Sequence, residues 1–481
     1  MSYKKAMFIN PVIDDKLCAT PPLGMLFILS YLREKCKDFE FKFIDFNVLK
    51  PSDSIQRDIL KREKPTIVGI YTCTNYLNCS LQLARFVKES IPECKVVLGG
   101  HHVSARPYEI YPDVDCVVVG EGEVAFKDLL DMIRKNKPFP KVYKSNILLD
   151  DINFWPAWDQ IDDLGAYSPV GVYFQHTPQA WITGSRGCPF NCFFCASIVY
   201  RDYKPRVRFR DPENIIEEIL YLKKRFAIKG FFFTDDEINA RPEWLEAICD
   251  LLIKEKINIK WCGQFRTNKN LLPERLIAKI KKAGCYAGGM GIESGNDFVL
   301  KRIQKNSTVK NNYRALKLLK KYKIISHGCF LIANVWPDEK GKPEGETLDQ
   351  INDTLAFIKK VTKEGLLTSA SISIATPYPG SGLEKLLNRY HLIYEPDYTK
   401  WNKDYIMRQK MVFKHPSLSD YDVQRVYQEI WEAVVINKGL IFQRLIMLSS
   451  FEDLKNFLKN SHYVLRKIID GRKRLKRIKT L

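Results

Sequence analysis

Three cysteines within eight residues, Cys188, Cys192 and Cys195 in GCPFNCFFC, are the side chains best placed by type and spacing to do chemistry. They fall on a loop leaving a predicted strand, where compact spacing lets three sulfurs converge on one inorganic centre. Structural zinc wants four ligands, and no fourth cysteine or partner Cys-x-x-Cys pair follows at finger spacing, which leaves His176 as the one nearby candidate. A cubane iron–sulfur cluster fits three thiolates and keeps one iron open, of little use for plain electron transfer but suited to binding a substrate. The bland alternative is cysteines buried by coincidence; the C-x-x-x-C-x-x-C spacing on a strand-end loop argues against it.

The elements that must position this loop come from hydrophobic periodicity. AWITGS, GFFFTDD, IKWCGQFR, YAGGMGIESG, IISHGCFLIANV and TSASISIATPYPG read as strands separated by helices of ordinary length. Six βα units predict a partial barrel of the (β/α)6, TIM type over residues 179–390. Barrel chemistry occurs at the carboxyl ends of strands, where Cys188, Asp235, Asp236, Arg266, Glu293 and Ser294 fall. Adjacent strand residues point to opposite faces, so at most one of Asp235 and Asp236 faces a ligand directly. Arg266 can pair a carboxylate there, or form an ordinary surface ion pair.

Residues 1–136 show the same alternation, with strands at KAMFIN, FEFKFID, TIVGIYT, KVVLGG and VDCVVVGEGE. They predict a Rossmann-like, flavodoxin-like parallel sheet, whose ligands sit beyond the carboxyl ends of the strands. Residues 137–178, with Pro138, Pro140, Pro156 and Pro169, lose the periodicity and read as a linker that wraps rather than folds alone. Residues 391–481 become irregular and then helical, with Trp401 and Tyr405 candidates to cap the barrel mouth, and end in the basic run RKIIDGRKRLKRIKTL.

At 481 residues the chain needs two or three cores, and 45% hydrophobic with 27% charged residues excludes wholesale disorder. The first residues lack a signal-peptide run and no window approaches a membrane span, so a cytoplasmic protein is expected. Thirteen cysteines in that compartment point to metal binding or burial rather than disulfides. The net charge of +20 and the basic tail permit phosphates or an anionic membrane surface, with a solvated helix end as the simpler reading; no nucleic-acid motif accompanies them, and no nucleic acid is expected as a partner.

The cysteine spacing, with Phe194 as the aromatic before the last cysteine, resembles the signature of the radical S-adenosylmethionine (radical SAM) superfamily. That resemblance implies a 4Fe-4S cluster, chelation of its open iron by the methionine end of S-adenosylmethionine, and a 5'-deoxyadenosyl radical that abstracts hydrogen. It implies cofactor contacts at Phe194, at Asp235 and Asp236 in FFFTDDE, at Arg266, and at Glu293 and Ser294 in GIESGND. ATPYPGSGL resembles the family's last strand and turn. The chain departs from the family after FLIANV, where WPDEKGKPEGET replaces a short Gly-x-Pro-Gly-Glu-Thr; the insertion at 338–344 leaves the cofactor contacts there open.

On the residues alone the first domain fits a nucleotide, a flavin or no ligand, because glycines at strand ends often only make turns. Its PPLG, GGHHVSA and GEGE stretches are similar to those of the cobalamin-binding subgroup. This implies cobalamin contacts at Leu23, Gly24, Thr72, Thr74, Gly99, Gly100, His101, Ser104, Gly120, Glu121 and Gly122. Cobalamin domains that ligate cobalt through Asp-x-His-x-x-Gly have a histidine where this chain has Asn47. His101 and His102 remain, although the subgroup uses that loop along the nucleotide tail, so the lower face of cobalt is expected to lack a protein ligand.

The function implied is a cobalamin-dependent methyltransferase acting on a carbon centre, with a small molecule, lipid or peptide as substrate and a flavodoxin or ferredoxin as electron donor. A cyclase, a rearrangement enzyme or an oxidative relative uses the same parts without methyl transfer. A non-enzymatic cobalamin or metal sensor is the third reading, and the intact cysteine triad argues against it. No residue is assigned as the catalytic acid or base.

Overall fold

The computed structural model describes residues 4–13, 20–167, 176–197, 207–401 and 411–435. Pro169, Tyr405 and the basic run at 466–481 lie outside them. The chain divides into two compact units, one of Met1–Pro169, Ala196–Arg208 and Glu395–Ile406, the other of Val170–Cys195, Phe209–Tyr394 and Met407–Leu481. Among the described residues no helix is long and apolar enough to cross a membrane.

In the first unit β1 (Lys4–Asn10), β2 (Phe39–Asp45), β3 (Ile67–Tyr71), β4 (Lys95–Gly99), β5 (Cys116–Val118) and β6 (Val142–Tyr143) form one sheet in the order β2-β1-β3-β4-β5-β6. All its pairings are parallel. A strand covered on both faces must be apolar throughout, and Ile67, Val68, Gly69 and Ile70 are indeed all buried. Gly69 is dictated by packing, since a Cβ there would stand 2.9 Å from the Phe8 ring and 3.0 Å from that of Phe126. The order reverses beside β1, which places a switch point at its carboxyl end. Within the segment that lost periodicity, Ile152, Trp158, Ile161, Leu164 and Tyr167 are buried, and Ala157 donates its N–H to the Leu26 carbonyl at 3.0 Å. The segment therefore wraps this unit. β6 had no sequence signal, being two residues long.

Numbering continues with β7 (Gln179–Ile182) and the two-residue strands β8 (Ser185–Arg186) and β9 (Arg208–Phe209). The sheet of the second unit is completed by β10 (Gly230–Phe233), β11 (Lys260–Phe265), β12 (Cys285–Glu293), β13 (Ile325–Ile332) and β16 (Ser369–Ile374), in the order β16-β13-β12-β11-β10-β7. Its pairings are parallel, each strand joining beside its predecessor, the winding of an open six-stranded barrel. Trp261 anchors one apolar layer, packed with Phe231, Phe233 and Phe265 at centroid distances of 6.2, 5.5 and 6.4 Å.

The insertion after β13 folds as an antiparallel hairpin of β14 (Val335–Pro337) and β15 (Pro343–Gly345). Asp338 closes its turn by accepting from the N–H groups of Lys340 and Lys342 at 2.8 and 2.7 Å. The helix at Leu348–Lys363 begins with a capping box of Thr347 and Gln350. The helix Asp420–Val435 packs on it, the described part of the expected helical region.

Candidate functional site

The cysteine loop is held at two adjacent aromatics. Phe193 donates its N–H to the Ile303 carbonyl at 2.9 Å and accepts from the Leu383 N–H at 3.1 Å. Gly382 is required beneath it, because a Cβ there would lie 2.5 Å from the Phe193 ring. Phe194 packs against the buried cluster of Val299, Leu300, Ile303 and Trp336. The hairpin strand β14 thus helps to seat the loop through Trp336. The Cys195 N–H closes a turn on the Cys192 carbonyl at 3.1 Å.

Cys192 is buried and Cys188 and Cys195 are half-buried, and none is in a disulfide. Burial pushes the Cys188 thiol up to about 12 and raises that of Cys192, so thiolate ligation there draws on the charge of the metal itself. Among the described residues no group of His, Cys, Asp or Glu converges tightly enough for a single metal ion. A cubane takes one thiolate on each of three irons and leaves the fourth iron open, which matches a loop that supplies three cysteines. Structural zinc takes four ligands, so a set of three cysteines fits the cluster better than zinc.

Around the loop lie the strand-end residues. Asp235 is buried, its carboxylate accepting from the Gly184 N–H at 3.0 Å and the Ser185 hydroxyl at 2.5 Å. Burial pushes it up to about 6 against those donors. Asp236 is exposed, so the two neighbours do face different surroundings, although both lie past the end of β10 and strand alternation is not the cause. Arg266 is buried and sits 3.5 Å above the Phe190 ring, with Nη1 3.9 Å from the Cys192 sulfur and 3.6 Å from Glu237 Oε1.

Glu293 occupies a left-handed backbone position with φ 62° where the ladder to β13 shifts register. Its Oε1 accepts from Lys305 Nζ at 3.0 Å, and Glu237 Oε1 lies 4.0 Å from the same ammonium. Burial opposes the charge of Lys305, but Glu293 and Glu237 hold its affinity for the proton above the usual range. Burial raises Glu237, with Lys305 and Arg266 acting against it. Ser294, fully buried, bonds Thr354 at 3.0 Å and accepts from the Asn296 N–H at 3.1 Å, so its hydroxyl secures the turn into the next helix.

Glu237 and Lys305 were not singled out from the sequence. Glu237 carries a signal in retrospect, since it stands two residues after Asp235 in TDDE. Lys305 carries none, because only the folding of the segment after β12 brings it back to the strand ends.

In the first unit, Thr72, Thr74, Gly99, Gly100, Ser104 and Gly120 gather at the carboxyl ends of β3, β4 and β5. Ser104 accepts from the Gly120 N–H at 3.1 Å and Thr72 donates its N–H to the Gly99 carbonyl at 2.8 Å. Gly100, at φ 128°, could not carry a side chain, because its Cβ would lie 2.1 Å from the Thr72 carbonyl oxygen. Gly24 and Gly99 instead face open space, with nothing within 4 Å of a Cβ, which leaves the room a bulky ligand needs. Gly122 is a packing residue, its Cβ position 2.4 Å from Ile28, and Leu23 opens the helix Leu23–Lys35. Glu121 is committed to the buried Arg208 guanidinium.

His102 is buried with both ring nitrogens engaged, Nδ1 with Thr74 at 3.1 Å and Nε2 with Glu109 at 3.1 Å. His101 is exposed. Asn47 is turned inward, its Oδ1 accepting from the Ile13 N–H at 3.2 Å and Lys50 at 2.8 Å. Asp45 beside it is sealed by Asn10 and Tyr167, each at 2.9 Å. Trp401 packs on Tyr398 within this same unit, and Tyr398 meets Arg106 at 3.3 Å.

A partial parallel barrel with a three-cysteine loop at its strand ends, joined in one chain to a parallel sheet opening at a glycine-rich edge, defines an iron–sulfur enzyme with a second cofactor domain. Residues 182–358 match the radical SAM superfamily and residues 17–130 the B12 binding domain. The chain is 30% identical over 403 residues to a protein of Pyrococcus horikoshii named an uncharacterized methyltransferase, covering 81% of this chain and 83% of that one. It belongs to the radical SAM superfamily, in the group that carries a B12-binding domain. The anaerobic magnesium-protoporphyrin IX monomethyl ester cyclase of Rubrivivax gelatinosus is 25% identical over 400 residues, covering 79% and 68%. The structure of TsrM from Kitasatospora setae, a radical S-adenosylmethionine methyltransferase with cobalamin and a 4Fe-4S cluster bound, shares the fold at a TM-score of 0.66 and 14% identity, covering 90% and 89%.

Proposed function

We propose that this protein transfers a methyl group from S-adenosylmethionine to a carbon centre of a small-molecule, lipid or peptide substrate, using cobalamin as carrier. The observation that carries this reading is the pairing, in one chain, of the three-cysteine barrel with a B12-binding sheet, the arrangement of relatives named methyltransferases. The bound cofactors would supply the one-electron cleavage and the methyl relay. The chain's own residues hold and shield them. Cys188, Cys192 and Cys195 ligate the cluster; Phe194, Asp236, Glu293 and the Lys305–Glu237 pair line the adjacent cofactor site, with Asp235 and Ser294 as its supports. Leu23, Gly24, Thr72, Thr74, Gly99, Gly100, His101, Ser104, Gly120, Glu121 and Gly122 frame the cobalamin site.

With Asn47 sealed by Ile13 and Lys50 and His102 held by Thr74 and Glu109, neither supplies a cobalt ligand. Of the residues in these two loops, His101 is the exposed imidazole that would face a bound cobalamin. A flavodoxin- or ferredoxin-type donor delivers the electron, in the cytoplasm, and the domain limits are 1–136, 137–178, 179–390 and 391–481.

A cyclase-type reaction without methyl transfer is the second reading, favoured by the likeness to the Rubrivivax gelatinosus cyclase. The deciding experiment incubates the reconstituted enzyme anaerobically with methyl-deuterated S-adenosylmethionine, a reductant and extracts of candidate substrates. Label in a product together with equal S-adenosylhomocysteine and 5'-deoxyadenosine supports methyl transfer. Turnover that yields 5'-deoxyadenosine alone and unlabelled product supports the second reading.

A further inference from the structure

We propose that Arg266 is a positioning residue for the iron–sulfur cluster and raises its midpoint potential; this rests on the assignment of Cys188, Cys192 and Cys195 as cluster ligands. Arg266 is fixed from every side. Its main-chain N–H donates to Asn239 Oδ1 at 2.8 Å and its carbonyl accepts from Asn239 Nδ2 at 2.9 Å. Its Nε donates to Asn268 at 3.2 Å, and its guanidinium lies 3.5 Å over Phe190, a residue of the cysteine loop itself. From that seat Nη1 donates to the Cys192 sulfur at 3.9 Å.

Two features separate this from an ordinary ion pair. The side chain is only 1% exposed, so its charge is poorly screened. Its Nη2 is buried without a hydrogen-bond partner among the described residues. Leaving such a donor unsatisfied is costly, and a sulfur of the bound cluster would satisfy it. Glu237, at 3.6 Å from Nη1, balances part of the charge.

Hydrogen bonds to cluster sulfurs and nearby positive charge both favour the reduced state, which carries one more negative charge. One electron from dithionite reduces the cluster, with no proton or bond change, so its midpoint reads this effect directly. The test uses the full chain, reconstituted anaerobically with iron and sulfide and titrated with dithionite under electron paramagnetic resonance, without S-adenosylmethionine. Arg266→Gln, Arg266→Lys and Glu237→Gln are compared with the parent.

The expected result is a midpoint lowered in Arg266→Gln, partly restored in Arg266→Lys, and raised in Glu237→Gln, where the guanidinium loses its counter-charge. If Arg266→Gln takes up no iron, the opposite shifts of Arg266→Lys and Glu237→Gln decide. A midpoint unmoved by either charge change, with iron content intact, overturns the proposal and leaves Arg266 to the cofactor or to the fold. A parent that takes up no iron sinks the cluster assignment instead.

Discussion

Replacing Lys305 by Met tests whether the charges at the strand ends form one coupled group. Lys305 is 4% exposed and its ammonium lies 3.0 Å from Glu293 and 4.0 Å from Glu237. At an effective dielectric near 20 the closer contact alone is worth about 5 kcal/mol before desolvation. The substitution leaves two buried carboxylates with Arg266 as their remaining cation, the situation in which losing one partner costs about 3–5 kcal/mol. The carboxylates can escape by taking up protons, so the cost must shrink as pH falls. Urea unfolding of the apo protein at pH 7 and pH 5 measures this, and Lys305→Met with Glu293→Gln should recover more than half of the loss. A variant within about 0.5 kcal/mol of the parent at pH 7, or a loss that grows on acidification, refutes a coupled group.

Three further outcomes follow from the geometry. Glu346 is fully buried beside Asn334 and burial pushes it up to about 7; a raised acid favours folding below its unfolded value and loses that contribution as pH rises through 7. Glu346→Gln should therefore raise thermal stability at pH 8.5 by up to about 3 kcal/mol and leave it nearly unchanged at pH 4, below the unfolded value. His415 is held neutral, accepting at Nδ1 from the Ser417 and Leu418 N–H groups, and burial lowers it to about 4; its contribution is complete above 6.5 and lost as pH falls toward 4, and His415→Asn should flatten that acid limb in pH-resolved melting curves. Gly100→Ala, whose Cβ would meet the Thr72 carbonyl, should abolish cobalamin uptake measured by absorbance while iron uptake stays at the parent level.

The strands were legible wherever a run was long and apolar. All six barrel strands and the five longer strands of the first sheet coincide with runs read from the sequence; TIVGIYT and GFFFTDD are apolar because both faces are covered, whereas the edge strands in FEFKFID and SASISI alternate. The hairpin at 335–345 was visible only as a departure from the family, since Pro337 and Pro343 hide a strand pair whose stability comes from Trp336 and the Asp338 turn. The cysteine loop was legible because its three ligands are local in sequence. Lys305 was not, because its partners Glu237 and Glu293 lie 68 and 12 residues away and meet it only through the topology. Spacing likewise could not tell that Glu121 serves Arg208 or that His102 has both nitrogens occupied.

The most direct test is anaerobic reconstitution with iron, sulfide and hydroxocobalamin, followed by desalting and metal analysis of the parent beside a Cys188→Ala, Cys192→Ala, Cys195→Ala variant. About four irons and one cobalt per chain in the parent, with only the iron lost in the variant, is the predicted result. Iron retained by the variant at the parent level contradicts the assignment of the cluster to these three cysteines.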